Sequence, residues 1–270
     1  MTTLRSLLLQ QIDHQLRMMN IPTSTIIESM CALALVKTSS PADLLRHFLS
    51  MRSNAISTIL DPSTLNSESI HDTLKLFHST LRDTEAIFPK KITEALQLMK
   101  SRPLFENPEL RNMPGLNFHT NERWLPEDIR EFIPWVRHDE LERSRMHDSV
   151  RTWANRELET LNGSIKQVSA GMGDIESVVQ LRRGILDSWR GNRSKLLHVI
   201  IGKEEPRRKF RELLNERLVE LLGRNANELM KVDERIRELA VQPKDSNPGV
   251  CQNLPKPLSI PANCWFSRFY

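Results

Sequence analysis

Apolar residues in this chain recur at steps of three and four, and the segment Ser39 to Leu60 shows it most cleanly. Leu44, Leu45, Phe48, Leu49, Ala55, Ile56, Ile59 and Leu60 fall on one side of a 3.6-residue helix. Ser40 stands where an N-cap belongs, with Pro41 in the first turn and Asp43 three residues on as a short capping box. Asp61-Pro62 ends the pattern.

The same period continues on both sides. Leu4, Leu7, Leu8, Leu9, Ile12 and Leu16 predict a helix that stops near Pro22. A second, starting at Thr23 to Thr25, turns Ile26, Ile27, Met30, Leu33 and Ala34 inward. Ile70, Leu74, Phe77, Leu81 and Ile87 predict one over Ser67 to Phe88, interrupted by Pro89 and resumed with Ile92, Leu96 and Met99. Arg102 to Leu125, with Pro103, Pro108, Pro114 and Gly115, reads as a connection. Beyond it, Ile129, Phe132 and Ile133 form a short helix, and Asp139 opens a longer one through Val150, Trp153, Leu158 and Leu161. Asp174 caps the next, which carries Ile175, Val178, Ile185, Leu186 and Trp189.

From Lys203 to Leu239, acids and bases alternate around Phe210, Leu214, Leu218, Leu229 and Ile236, the pattern of a long, charge-laced helix. Within it, Phe210, Leu214 and Leu218 are the candidate partner-facing positions. Gln242 to Tyr270 has five prolines and no period, and is expected to lack regular structure. The sequence therefore predicts an all-α protein in four parts: an N-terminal bundle over 1–101, a connection over 102–125, a second bundle over 126–241 and a Pro-rich tail over 242–270.

Composition agrees, because nine glycines and one tyrosine are few for a sheet protein of 270 residues. The net charge is +4, yet 38 basic and 34 acidic residues are intermixed, so no basic stripe for nucleic acid stands out. Arg182, Arg183, Arg190, Arg193, Arg207, Arg208 and Lys209 could form a basic face, but Glu204, Glu205 and Glu212 weaken its field. Apolar runs such as Cys31 to Val36 fall well short of the ~20 residues needed to span a bilayer.

Candidate chemistry is thin. Gly171-Met-Gly173 has no preceding strand and no lysine at phosphate-loop spacing, which makes it a turn between helices. His138 and Glu142 would lie one helical turn apart, with Asp139, His147 and Asp148 nearby, but in so charged a segment a solvated face is the better reading. Ser53 and Ser57 lack an elbow motif. Cys31, in an apolar run, reads as a small buried hydrophobe, and Cys251 and Cys264 complete an odd, unpaired set. Trp135, Trp153 and Trp189 at helical spacing read as core. No catalytic, metal or cofactor residue is assigned.

The run Ala34 to Ile56, with Leu45, Phe48, Leu49, Arg52 and Ile56 in a Leu-x-x-Phe-Leu-x-x-Arg-x-x-x-Ile pattern after a Ser-Pro link, resembles subunit 1 of the conserved oligomeric Golgi complex in its fungal form. Phe132-Ile133-Pro134-Trp135, Val150 to Leu161 and Leu181 to Trp189 resemble the middle region of that subunit, so the likeness runs from about Leu4 to Trp189 and implies a partial chain. Exocyst and Golgi-associated retrograde complex subunits are built from similar helices. What the resemblance implies is an elongated helical bundle or rod and a non-catalytic role in tethering vesicles for intra-Golgi, retrograde transport. It also implies a peripheral place on the cytosolic side of the Golgi membrane. The partners it implies are the other tether subunits, vesicle-fusion proteins and small GTPases, with no nucleic acid, small-molecule substrate or cofactor. A generic helical scaffold is the alternative reading of the same pattern.

Overall fold

The computed structural model describes residues 2–103, 106, 124, 126–137, 139–191, 194–200, 202 and 204–241. Among them are ten helices and no strand, so the chain is all-α as its periodicity predicts. They are α1 (Thr2–Arg17), α2 (Thr23–Lys37), α3 (Pro41–Ile59), α4 (Ser67–Ile87), α5 (Lys90–Ser101), α6 (Glu127–Arg130), α7 (Arg143–Gly171), α8 (Ile175–Gly191), α9 (Lys195–Ile200) and α10 (Glu204–Val241). The expected tail over 242–270, His138 and most of the connection over 102–125 lie outside the described residues.

Helix ends follow the local chemistry. The Ser40 hydroxyl accepts from the Asp43 amide while the Asp43 carboxylate accepts from the Ser40 amide at 3.1 Å, a closed capping box. Asn66 caps α4 through the Ser69 amide at 2.9 Å, and Asp174 caps α8 through the Ser177 amide at 2.6 Å. Without a glycine at its end, α2 stops on Thr38, held at φ 50 in the left-handed region. Helix α7 starts at Arg143 rather than Asp139.

Two compact units are present, Met1–Gly223 and Arg224–Tyr270. In the first, α4 is the hub, packing against α2, α3, α5, α7, α8 and α9. A helix surrounded in this way must tolerate burial on more than one face. Small Thr and Ser side chains make that possible: Thr80 donates to the Leu76 carbonyl and Thr84 to the Thr80 carbonyl, both at 2.8 Å, so neither hydroxyl is buried unsatisfied.

The connection over 102–125 does not divide two bundles. Helices α3 and α4, which precede it, pack directly on α7, α8 and α9, which follow it, and one hydrophobic cluster runs from Ile12 to Leu221. Phe77 of α4 explains this, because its ring lies parallel to Trp153 of α7 at 5.3 Å and 6.2 Å from Trp189 of α8. The five N-terminal helices alone would leave that surface open. The second unit is described over 224–241, the C-terminal part of α10, and residues 224–240 are all exposed.

Candidate functional site

Leu45, Phe48, Leu49, Arg52 and Ile56 share one face of α3, and all five are buried. Arg52 is a full cation in that face, with its side chain removed from solvent. Its guanidinium donates to the Met18 carbonyl at 2.9 Å and to Asp83 Oδ2 at 3.2 Å, and lies 5.0 Å from the centre of the Phe48 ring. Ser79 donates to the same carboxylate oxygen at 3.2 Å. Burial lowers the pKa of Arg52 against the opposing pull of Asp83, and burial raises that of Asp83 against Arg52 and Ser79. Arg52 Nε has no partner, so the site is a structural ion pair that stays incompletely satisfied.

One residue along, Ser53 faces α7. Its hydroxyl donates to Glu157 Oε1 at 2.7 Å and accepts from Trp153 Nε1 at 2.9 Å and Arg156 Nη2 at 2.6 Å. Both oxygen lone pairs are taken by donors, which leaves a poor nucleophile and a good clamp between α3 and α7. Arg156 also reaches Glu157 at 2.9 Å, pairing a carboxylate that is only 5% exposed. Sequence spacing could not join Ser53 to residues a hundred positions away.

Phe210 and Leu214 of α10 are fully buried and Leu218 is half-buried, which corrects their reading as partner-facing positions. Trp189 is the cause: its indole needs a cover, and Phe210 supplies it edge-on at 5.5 Å. Arg217 fixes the same helix against α7. Its guanidinium donates to the carbonyls of Ser169, Ala170 and Met172 at 2.9–3.0 Å, satisfying the C-terminus of α7 where Gly171 ends it. The turn after Gly171 is thus a helix-to-helix link.

Trp153 and Trp189 are buried, whereas Trp135 is 69% exposed, and Ile129, Phe132 and Ile133 around α6 are exposed too. Their helical spacing gives way because α6 lasts four residues, too few to present a face. Cys31 is half-buried, and burial followed by the charge of Glu28 pushes its thiol up to about 11. Glu142 sits at the start of α7 instead of one turn inside a helix, and no group of three metal-ligating side chains occurs among the described residues.

A cleft of about 490 Å³ opens beside α4, lined by Lys75, His78, Arg82, Glu85 and Ser188. His78 packs against both Phe77 at 5.9 Å and Trp189 at 5.1 Å, and its Nε2 has no partner. Burial, then the charge of Arg82, pushes its pKa down to about 4, so the ring is neutral at neutral pH. A larger groove of about 530 Å³ between α7 and α10 mixes Lys166 and Lys209 with Glu212 and Glu216. Elsewhere on α10, Arg208 pairs with Glu212 and Lys209 with Glu205, so acids along the same helix offset its basic residues.

These features define a class of protein: an all-α helical bundle whose buried polar groups lock helices to one another. None of its described helices is long and apolar enough to cross a membrane. No family model matches the chain, and no curated protein or solved structure matches it either.

Proposed function

We propose that this chain is a non-catalytic subunit of a Golgi vesicle-tethering complex, acting in intra-Golgi retrograde transport from the cytosolic face of the membrane. The carrying observation is the α3 motif: Leu45, Phe48, Leu49, Arg52 and Ile56 form one continuous buried face, and the same residues bear the family resemblance. Helices braced by such a core are stiff struts, rising about 1.5 Å per residue. Stiffness suits a protein that holds binding surfaces apart.

Other tether subunits are the partners in this reading, with vesicle-fusion proteins and small GTPases engaged by the assembled complex. Purification of the tagged chain from cells at near-physiological salt tests it. Co-recovery of the other Golgi tether subunits is the expected result. Recovery of exocyst or Golgi-associated retrograde complex subunits would reassign the chain to those tethers, and salt-sensitive nucleic acid without tether subunits would overturn the proposal.

A further inference from the structure

Helix α10 continues to Val241, but residues 224–240 bury nothing that holds a helix in place. Leu229, Val232, Ile236 and Leu239 there are each between 55% and 70% exposed. Their spacing is three, four and three residues, a coiled-coil seam in which Leu229 and Ile236 take one core position and Val232 and Leu239 the other. The seven-residue repeat extends back in the sequence to Leu222, with Asn225 as its single polar member. A row of large apolar side chains along a helix in water asks for a cover.

Charge says which cover fits. Glu228 and Arg235 occupy the position just before each leading core residue, and Asp233 follows Val232. In a parallel pair of identical helices, Glu228 of one copy would meet Asp233 of the other, placing like charges together twice. In an antiparallel pair centred between residues 230 and 231, Leu229 packs on Val232 of the other copy. Glu228 then faces Arg235 of that copy, and the two-fold axis repeats the attraction. Asp233 is already turned toward Arg237 one turn along its own helix, in an ion pair that leaves Arg235 available. We infer that residues 222–239 form an antiparallel coiled-coil interface with a second copy of this chain, in which Leu229 packs on Val232, Ile236 on Asn225 and Leu239 on Leu222 of the other copy, oriented by Glu228 and Arg235.

Sedimentation equilibrium of the full chain across the micromolar range tests this, with far-UV circular dichroism confirming that every variant keeps its helices. The chain is expected to dimerise reversibly, and Leu229→Asp to abolish the dimer. Glu228→Arg and Arg235→Glu should each weaken dimerisation about ten-fold, by turning two attractions into two repulsions, and the double exchange should restore it. A chain that stays monomeric overturns the inference, as does a dimer that survives Leu229→Asp. Glu228→Arg that tightens the dimer would show a parallel pair, and a double exchange without rescue would show that these residues do not meet; either result also overturns it.

Discussion

Arg52 of α3 and Asp83 of α4 meet at 3.2 Å inside the bundle, the cation with no solvent exposure and the carboxylate with 15%. A charge removed from water this completely depends on its partners, so what each one contributes is measurable by substitution. Arg52→Ala takes from the Met18 carbonyl its side-chain donor and from Asp83 its cation, leaving that carboxylate the Ser79 hydroxyl, and should cost about 3–5 kcal/mol in urea unfolding. Arg52→Lys should recover only part of that, because a single ammonium cannot reach both acceptors while staying over the Phe48 ring. A loss below about 1 kcal/mol for the alanine variant would mean the pair is replaced by water.

Gly184 of α8 sits where a Cβ would lie 2.2 Å from the His71 ring of α4. Alanine in mid-helix ordinarily gains about 1 kcal/mol over glycine, whereas overfilling a packed contact costs about 1–3 kcal/mol. Gly184→Ala should therefore destabilise the protein in the presence of His71 and stabilise it in a His71→Ala background. A double-mutant cycle reads this directly, and equal effects in the two backgrounds would refute the close approach.

His78 sets a pH dependence whose sign follows from its burial. Its folded-state pKa of about 4 lies below the ordinary 6.5, so the unfolded chain binds the proton more readily. The contribution is fully present above pH 6.5 and is lost as the pH falls from 6.5 to about 4, by about 3 kcal/mol in all. His78→Leu should flatten the stability profile across that window relative to the parent chain. Parallel profiles would show a solvated imidazole.

Cys31 should be slow toward thiol reagents. With its pKa pushed up to about 11, the native thiolate at pH 8 is scarce, and labelling should run about 100-fold slower than for a free thiol. Following Ellman's reagent on a Cys251→Ser/Cys264→Ser chain isolates the signal, and denaturant should restore the ordinary rate. A native rate equal to the denatured one would count against the burial.

The elements were legible because helix formation is written locally. Ser40 with Asp43 and Asp174 with Ser177 are pairs three residues apart, so spacing announces the caps at Ser40 and Asp174. The interruption at Pro89 and the long reach of α10 were visible for the same reason. The candidate sites were much less legible. Ser53 with Trp153 and Glu157, or Arg217 with the carbonyls of Ser169 to Met172, are neighbours only after the chain folds back on itself.

By itself, then, the sequence determined that this chain is helical, where most helices begin and end, and which residues of α3 turn inward, since each depends on side chains within a turn or two. Tertiary structure decided the rest. Phe210 and Leu214 carry the same apolar periodicity as Leu229 and Ile236, yet the first pair is buried around Trp189 and the second is exposed. Periodicity marks the face a helix must cover. What covers it is settled only by the surface that other helices bring to meet it.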